Sequence, residues 1–415
     1  MKHYIKDIVF TKSLTGFYFD DQLAIKAMAV SDGFCYLGSP ITPGFSRIRQ
    51  PGEAISVMLI LDDGTVAVGD CAAVQYSGCD GRDPLFAADK FILFLEKEIK
   101  PGLIGVSVDH FRPLAEKYDN LQINGRKMHT AIRYGLTQAF LQAVALGQRL
   151  TLAEVIRNEY LIKDKDYRPV PIFAQSGDNR YINVDKMIMK EVDVLPHGLI
   201  NTVGKLGQAG EGLQEYIVFL KNRIMKLRTR PEYQPIIHLD VYGTVGMIFD
   251  MDIGKIVSYL KKLAEAAHPF SLRIEGIIDA GNRADTMRLM SDITRAVDAN
   301  GIKVEIVADE WCNSLEDIIY FADHKAGHML QIKTPDLGGI NNTIEAIIYC
   351  NKKNIGSYCG GTCNETNVSA EVTTNIAVAC KATQVLAKPG MDCDAALMIT
   401  RNEMNRIIAL VGTGR

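Results

Sequence analysis

No apolar run in this chain approaches the ~18 residues needed to cross a bilayer. The opening residues, MKHYIKDIVFTKSLTG, lack the uninterrupted apolar core and cleavage site of a signal peptide. Both absences set the expectation of a cytoplasmic protein with no membrane partner. An excess of either charge is missing too: 46 Lys and Arg face 49 Asp and Glu, leaving a formal net charge of -3 spread along the chain. That balance gives no basic surface for nucleic acid and no acidic tail. The nine cysteines are odd in number and scattered from Cys35 to Cys393, so reduced thiols are expected rather than a disulfide framework. Cys359 and Cys363 have neither a second pair nor a nearby histidine to complete a zinc pattern. Short exact repeats, low-complexity tracts and long linkers are absent, so the parts of the chain are expected to pack closely.

What is present is length and a change of texture. A chain of 415 residues exceeds what one core usually supports, which predicts two units. In the first third, ISVMLIL, DDGT and VAVGDCAAV read as two strands joined by a tight Asp-Gly hairpin. Lys90 to Lys100 and His129 to Leu146 carry apolar residues at helical spacing. The expectation is an α+β unit over residues 1–165. From residue 166 to 415, short apolar runs alternate with longer amphipathic stretches. VPIFAQ, VLPHGL, PIIHLD, SLRIEG, VEIVAD, MLQIKT, IGSYCG and QVLAKP are the predicted strands, and about 250 residues suit a (β/α)8 barrel. An open doubly wound sheet is the competing architecture, but the glycine-rich turn it would place after its first strand is missing.

Asp240 ends PIIHLD, Glu275 lies near the end of SLRIEG and Asp309 ends VEIVAD, about one βα unit apart. Barrel strands converge at their C-terminal ends, so three acids there would repel one another without a cation. Hard oxygen ligands suit magnesium. Against this, any single acid could merely cap a helix or pair with a base. The adjacent Glu310 is a rival to Asp309, because strand alternation turns neighbours to opposite faces. Lys333 ends the next strand, where a base would sit, and a nearby dication would lower its pKa from ~10.4. Its bland role is an ion pair. Gln331 shares its face and is a candidate substrate ligand. His197 ends the second barrel strand and is the strongest histidine candidate, whereas His238 lies deeper and His324 and His328 flank a loop. CGGTCNETN offers glycines and backbone N–H groups before a helix, either a cradle for a carboxylate or an ordinary turn; it lacks the lysine of a nucleotide P-loop.

Together HLDVYGT, LRIEG, VADEWCN, HMLQIKTPDLGG, YCGGTCNETN and VLAKPGMD closely resemble the methylaspartate ammonia-lyase family of the enolase superfamily. LTGFYFDDQ, GDCAAVQYSG, GRDPLF, HTAIRYG, VPIFAQSGD and DVLPHGLI extend the resemblance to nearly the full length. The resemblance implies an α/β architecture: a (β/α)7β-type TIM barrel bearing an N-terminal α+β capping domain, in a homodimer. It implies a carbon–nitrogen lyase that reversibly eliminates ammonia from L-threo-3-methylaspartate to give mesaconate, through an enediolate, in glutamate fermentation. The implied cofactor is Mg2+, with K+ activation as an accompanying expectation, and the implied partner is a small amino-acid substrate.

Carried over residue by residue, Asp240, Glu275 and Asp309 resemble the metal ligands and Lys333 the base towards the (2S,3S) substrate. His197 resembles the histidine that binds a substrate carboxylate and serves the other epimer. Gln175, Gln331, Thr362 and Cys363 resemble substrate-binding positions, Phe173, Tyr358 and Leu386 the apolar lining, and Gln75 a residue near the leaving amine. A racemase or cycloisomerase of the same superfamily would carry a Lys-x-Lys pair on an early barrel strand, where this chain has VPIFAQSG. A noncatalytic metal-dependent binder would have lost Lys333 or an acid. The fumarase and aspartase class would show long helices and a glycine-serine loop.

Overall fold

A strand buried on both faces needs a continuous apolar run, whereas one buried on a single face alternates. Both kinds occur here, in different parts of the chain. The computed structural model describes residues 3–413 except 28, 80 and 165. Its N-terminal sheet has three antiparallel strands in the order Ile5–Asp20, Arg49–Leu61, Val66–Cys71. Val57, Leu59 and Leu61 are fully buried while Ser56, Met58 and Ile60 between them are only partly so, the period-two pattern of a half-buried strand. The buried face packs on the helix Thr130–Gln148. A Cβ on Gly69 would lie 2.2 Å from the Gly135 carbonyl oxygen, so strand and helix meet backbone to backbone. The expected Asp-Gly turn closes with Gly64 at φ +85.

The first strand was not among the expected ones. Ile5–Asp20 is long but irregular, with a register shift against its neighbour between Leu14 and Tyr18, and its sequence alternates poorly as a result.

The predicted runs form one closed parallel barrel among the described residues. In chain order its strands are Ile172–Phe173, Val194–His197, Ile236–Asp240, Leu272–Glu275, Val304–Ala308, Met329–Ile332, Gly356–Cys359 and Gln384–Leu386. The last pairs with the first, Val385 opposite Ile172. Amphipathic helices follow the strands. The final one, Cys393–Leu410, joins the ring beside Asn367–Cys380 and Arg180–Met189. Phe173, Val194, Val307, Met329, Tyr358 and Leu386 form an apolar cluster of their own, separate from the main core. Beneath it, Arg273 donates to Glu305 Oε2 (2.5 Å) and Gln384 Oε1 (2.7 Å). The Gln384 amide in turn reaches His238 Nδ1 at 3.1 Å. Among the described residues no single helix is long and apolar enough to cross a membrane.

Candidate active site

The C-terminal ends of the barrel strands open into a cavity of about 500 Å³, roofed by residues from the N-terminal sheet. Asp240 is the last residue of its strand and Glu275 of the next, and they stand opposite each other in the ladder. Asp309 follows directly after the strand ending at Ala308. All three acids are buried. Asp240 and Asp309 line the cavity, and Glu275 sits below them.

Each acid leans on a different neighbour. Asp240 Oδ2 is 3.4 Å from His197 Nε2. Glu275 Oε1 accepts from the Gln331 amide at 2.8 Å, while its Oε2 lies 2.8 Å from His238 Nε2 outside hydrogen-bonding geometry. Asp309 Oδ1 is 2.8 Å from Lys333 Nζ, again off the hydrogen-bond direction. Among the described residues His197, Asp240 and Glu275 form a buried group whose potential ligand atoms lie within 4.8 Å of one another. Burial first, and the charge of neighbouring acids second, hold Glu275 well above the ordinary carboxylate range. Burial also raises Asp240, with Asp309 adding to it and His197 opposing.

Strand alternation would turn only one of the rivals Asp309 and Glu310 inward, yet both line the cavity. The strand stops at Ala308, so alternation no longer governs the next two residues. Burial and then the Asp309 charge push Glu310 up to about 7. Lys333 stands among the same acids. Burial is the largest single influence and lowers its pKa, but the acids around it, Asp309 and Glu310 foremost, turn the net direction upward. Lowering requires positive charge on those acids.

The other expected residues gather around the same space. Gln75, Gln175, Gln331, Tyr358, Thr362, Cys363 and Leu386 line the cavity, as does His197, whose backbone takes φ +69 at the end of its strand. Phe173 lies beneath, its ring stacked on His238 at 4.3 Å. In the glycine loop part of the backbone is already engaged. The N–H of Thr362 donates to Glu365 Oε1 and that of Asn364 to Thr362 Oγ1, so these two donors are spent internally. His328 and His324 are engaged with Ile306 and Tyr320 away from the cavity.

Two groups around the cavity were not anticipated. Arg82 comes from the N-terminal unit, lines the cavity and donates to Asp336 at 2.9 Å. Lys388, fully buried behind the glycine loop, donates to Glu365 Oε1 (2.9 Å), Thr334 Oγ1 (3.0 Å) and the Gly360 carbonyl (2.8 Å). Tyr134 of the N-terminal unit donates to Glu365 Oε2 at 2.7 Å. The available signal was a lysine inside an apolar strand end, VLAKPG, which has no reason to be buried without a partner.

The acids fit a hard divalent cation. Glu275 Oε2 and Asp309 Oδ1 are buried oxygens without a hydrogen-bond partner among the described residues. Like charges crowd there, and the donors are oxygens, the set that Mg2+ prefers.

Comparison with known proteins gives the same picture. Family models described as the methylaspartate ammonia-lyase N-terminus and C-terminus match residues 3–161 and 165–413. A methylaspartate ammonia-lyase of Clostridium tetanomorphum is 60% identical over 409 residues, covering 98% of this chain and 99% of the relative. The crystal structure of β-methylaspartase from that organism, a Mg complex, aligns with a TM-score of 0.96 over 99% of both chains. The Citrobacter amalonaticus enzyme containing (2S,3S)-3-methylaspartic acid aligns at 0.97 with 53% identity, over 99% of this chain and 100% of that one. A muconate lactonizing enzyme from Pseudomonas fluorescens, 15% identical with a TM-score of 0.58 over 90% of this chain and 84% of that one, shares the fold. With both halves matched and the barrel mouth furnished as described, this chain belongs to the methylaspartate ammonia-lyase family.

Proposed function

We propose that the chain catalyses the reversible elimination of ammonia from L-threo-3-methylaspartate to mesaconate, with Lys333 taking the C3 proton. The observation that carries this reading is one cavity lined by Asp240, Asp309, Lys333, His197 and the amides of Gln75, Gln175 and Gln331, with Glu275 buried beside Asp240 at the strand ends. The related structures supply the substrate class and the metal: one contains (2S,3S)-3-methylaspartic acid and another is a Mg complex.

The proton on C3 is acidified by the adjoining carboxylate, onto whose oxygens a second negative charge moves as the proton leaves. Asp240, Glu275 and Asp309 would hold the metal. Magnesium, when bound, supplies Lewis-acid stabilisation to that carboxylate and offsets the acids that keep Lys333 protonated. Lys333 Nζ then accepts the C3 proton. His197, across the cavity, faces the same developing charge, and Gln175, Gln331, Thr362 and Cys363 hold the substrate's polar ends. Phe173, Tyr358 and Leu386 give the methyl group an apolar wall and keep water out. Collapse of the charge towards C2 expels ammonia near Gln75.

The same reading carries a homodimer, a cytoplasmic location, and a division into a capping unit of residues 1–165 and a barrel of residues 166–415. Light scattering on the purified protein checks the first of these.

The direct assay combines purified protein, 3-methylaspartate and Mg2+, and follows the absorbance of the conjugated diacid, with a chelator control. No signal with metal would remove the lyase reading. Lys333→Ala should lower turnover of the (2S,3S) substrate about 10²- to 10⁴-fold and abolish solvent exchange at C3. Full retention of both would take the base role from Lys333.

A further inference from the structure

Gln75 enters the cavity from the N-terminal unit, and an amide at such a place is ambiguous: its oxygen accepts and its nitrogen donates. The structure resolves the ambiguity through two residues that the proposed chemistry does not use. Asp20, the last residue of the first strand, is 1% exposed. Arg49 grips its carboxylate with a two-pronged pair, Nε to Oδ1 and Nη2 to Oδ2, each 2.7 Å. Both oxygens of a carboxylate held in that way are acceptors, facing donors. The remaining contact on Oδ2 comes from Gln75 Nε2 at 2.7 Å, so the nitrogen of the amide is turned to Asp20. The backbone repeats the tie, with the Asp20 N–H donating to the Gln75 carbonyl at 3.0 Å. Gln75 Oε1 is left on the side of Cys363, whose thiol donates to it at 3.3 Å on the cavity wall.

Arg49 is itself fixed. Its guanidinium lies 4.4 Å from the Phe34 ring centroid and 5.1 Å from that of Tyr36, and Nη1 donates to the Phe34 carbonyl at 3.0 Å. Both aromatics belong to a small hairpin, Val30–Asp32 and Cys35–Leu37. A rigid planar fork between aromatic faces has little freedom to release Asp20.

The substrate completes the argument. 3-Methylaspartate presents two carboxylates, which only accept, and one ammonium, which only donates. A carbonyl oxygen repels the first two and complements the third. We propose that Asp20 and Arg49 are positioning residues that lock the Gln75 amide with its oxygen towards the substrate nitrogen, so that this wall selects the amine. Neither residue touches the reacting atoms; both act through Gln75. The inference rests on the ammonia-lyase reading.

The test is a reciprocal exchange read in the addition direction, with ammonia and mesaconate varied separately and thermal melts run in parallel. In Asp20→Asn, Arg49 can only hold the new amide's oxygen, leaving its NH2 against Gln75. Gln75 must then turn its own NH2 to the amine. The KM for ammonia should rise about tenfold or more while that for mesaconate changes little. Gln75→Glu alone sets two carboxylates against each other and should lose activity. The pair Asp20→Asn/Gln75→Glu restores donor to acceptor along the chain and should recover most of the loss. Arg49→Lys keeps the charge but breaks the fork, and should give the same KM split in weaker form. That variant decides the question should Asp20→Asn not fold. Equal rises in both KM values, or a double variant no better than the single ones, overturns the inference while wild-type turnover leaves the lyase reading standing. An inactive wild-type enzyme would instead remove that reading.

Discussion

At the barrel mouth, Asp240, Glu275 and Asp309 are buried acids that share few donors, and two of their oxygens have no hydrogen-bond partner among the described residues. Behind the glycine loop, Glu365 is a buried acid too, yet it accepts from Lys388, Thr334, the Thr362 N–H and Tyr134. The contrast separates two uses of buried charge. A network whose members are all satisfied stiffens the scaffold, here joining the N-terminal helix Thr130–Gln148 to the barrel. An acidic group left short of donors is a place prepared for something else.

That contrast can be broken from either side. Lys388→Met should cause the largest change, because it strands Glu365 without its cation; about 3–5 kcal/mol of stability should vanish in chemical denaturation. Adding Glu365→Gln to it should recover much of the loss, and a single variant as stable as wild type would show that the joint carries no weight. The mouth should respond in the opposite sense. Mg2+ at 100-fold its Kd should stabilise the wild-type protein by about 2.7 kcal/mol. Asp240 has its pKa raised, chiefly by burial, so its ionised form destabilises the folded state at neutral pH. Asp240→Asn should therefore raise the melting midpoint in chelator by a few degrees and abolish the response to Mg2+. A variant that melts lower, or still responds, would place the acids among the structural charges.

The smallest effect belongs to a buried group that is satisfied only while neutral. His129 caps the helix Thr130–Gln148, with Nδ1 accepting from the Ala131 N–H at 3.1 Å and Nε2 facing the Pro84 carbonyl at 2.9 Å. Burial is the main cause of its lowered pKa, with Asp83 raising and Arg133 lowering it further. Since the folded value lies below the unfolded 6.5, its contribution is complete above pH 6.5 and is lost as pH falls from there towards the folded value. His129→Asn retains a capping oxygen and should remove that acid sensitivity. Thermal melts between pH 5 and about 7.5 would check it; an unchanged slope would assign the sensitivity elsewhere.

The barrel was readable in the sequence because each of its strands is a short apolar run ended by polar residues, and the spacing of Asp240, Glu275 and Asp309 followed from it. What lay beyond a strand's last hydrogen bond was not readable. Glu310 turns inward because nothing enforces alternation past Ala308. Partnerships across the chain were hidden as well. Asp20 and Gln75 meet across 55 positions and Tyr134 and Glu365 across 231, and no local periodicity encodes either.

Gly361 joins the two kinds of buried charge. A Cβ there would fall 2.2 Å from Glu365 Oε1 and 2.4 Å from Lys388 Nζ, at a φ of +146 that favours glycine in any case. The next two residues are Thr362 and Cys363, on the cavity wall. One side of the pocket is thus tethered to a position where mutational drift meets an immediate penalty. Substitutions that alter substrate preference without meeting that penalty are expected away from Gly361, at cavity positions such as Gln175 or Leu386. A directed-evolution library gains most by spending its diversity there.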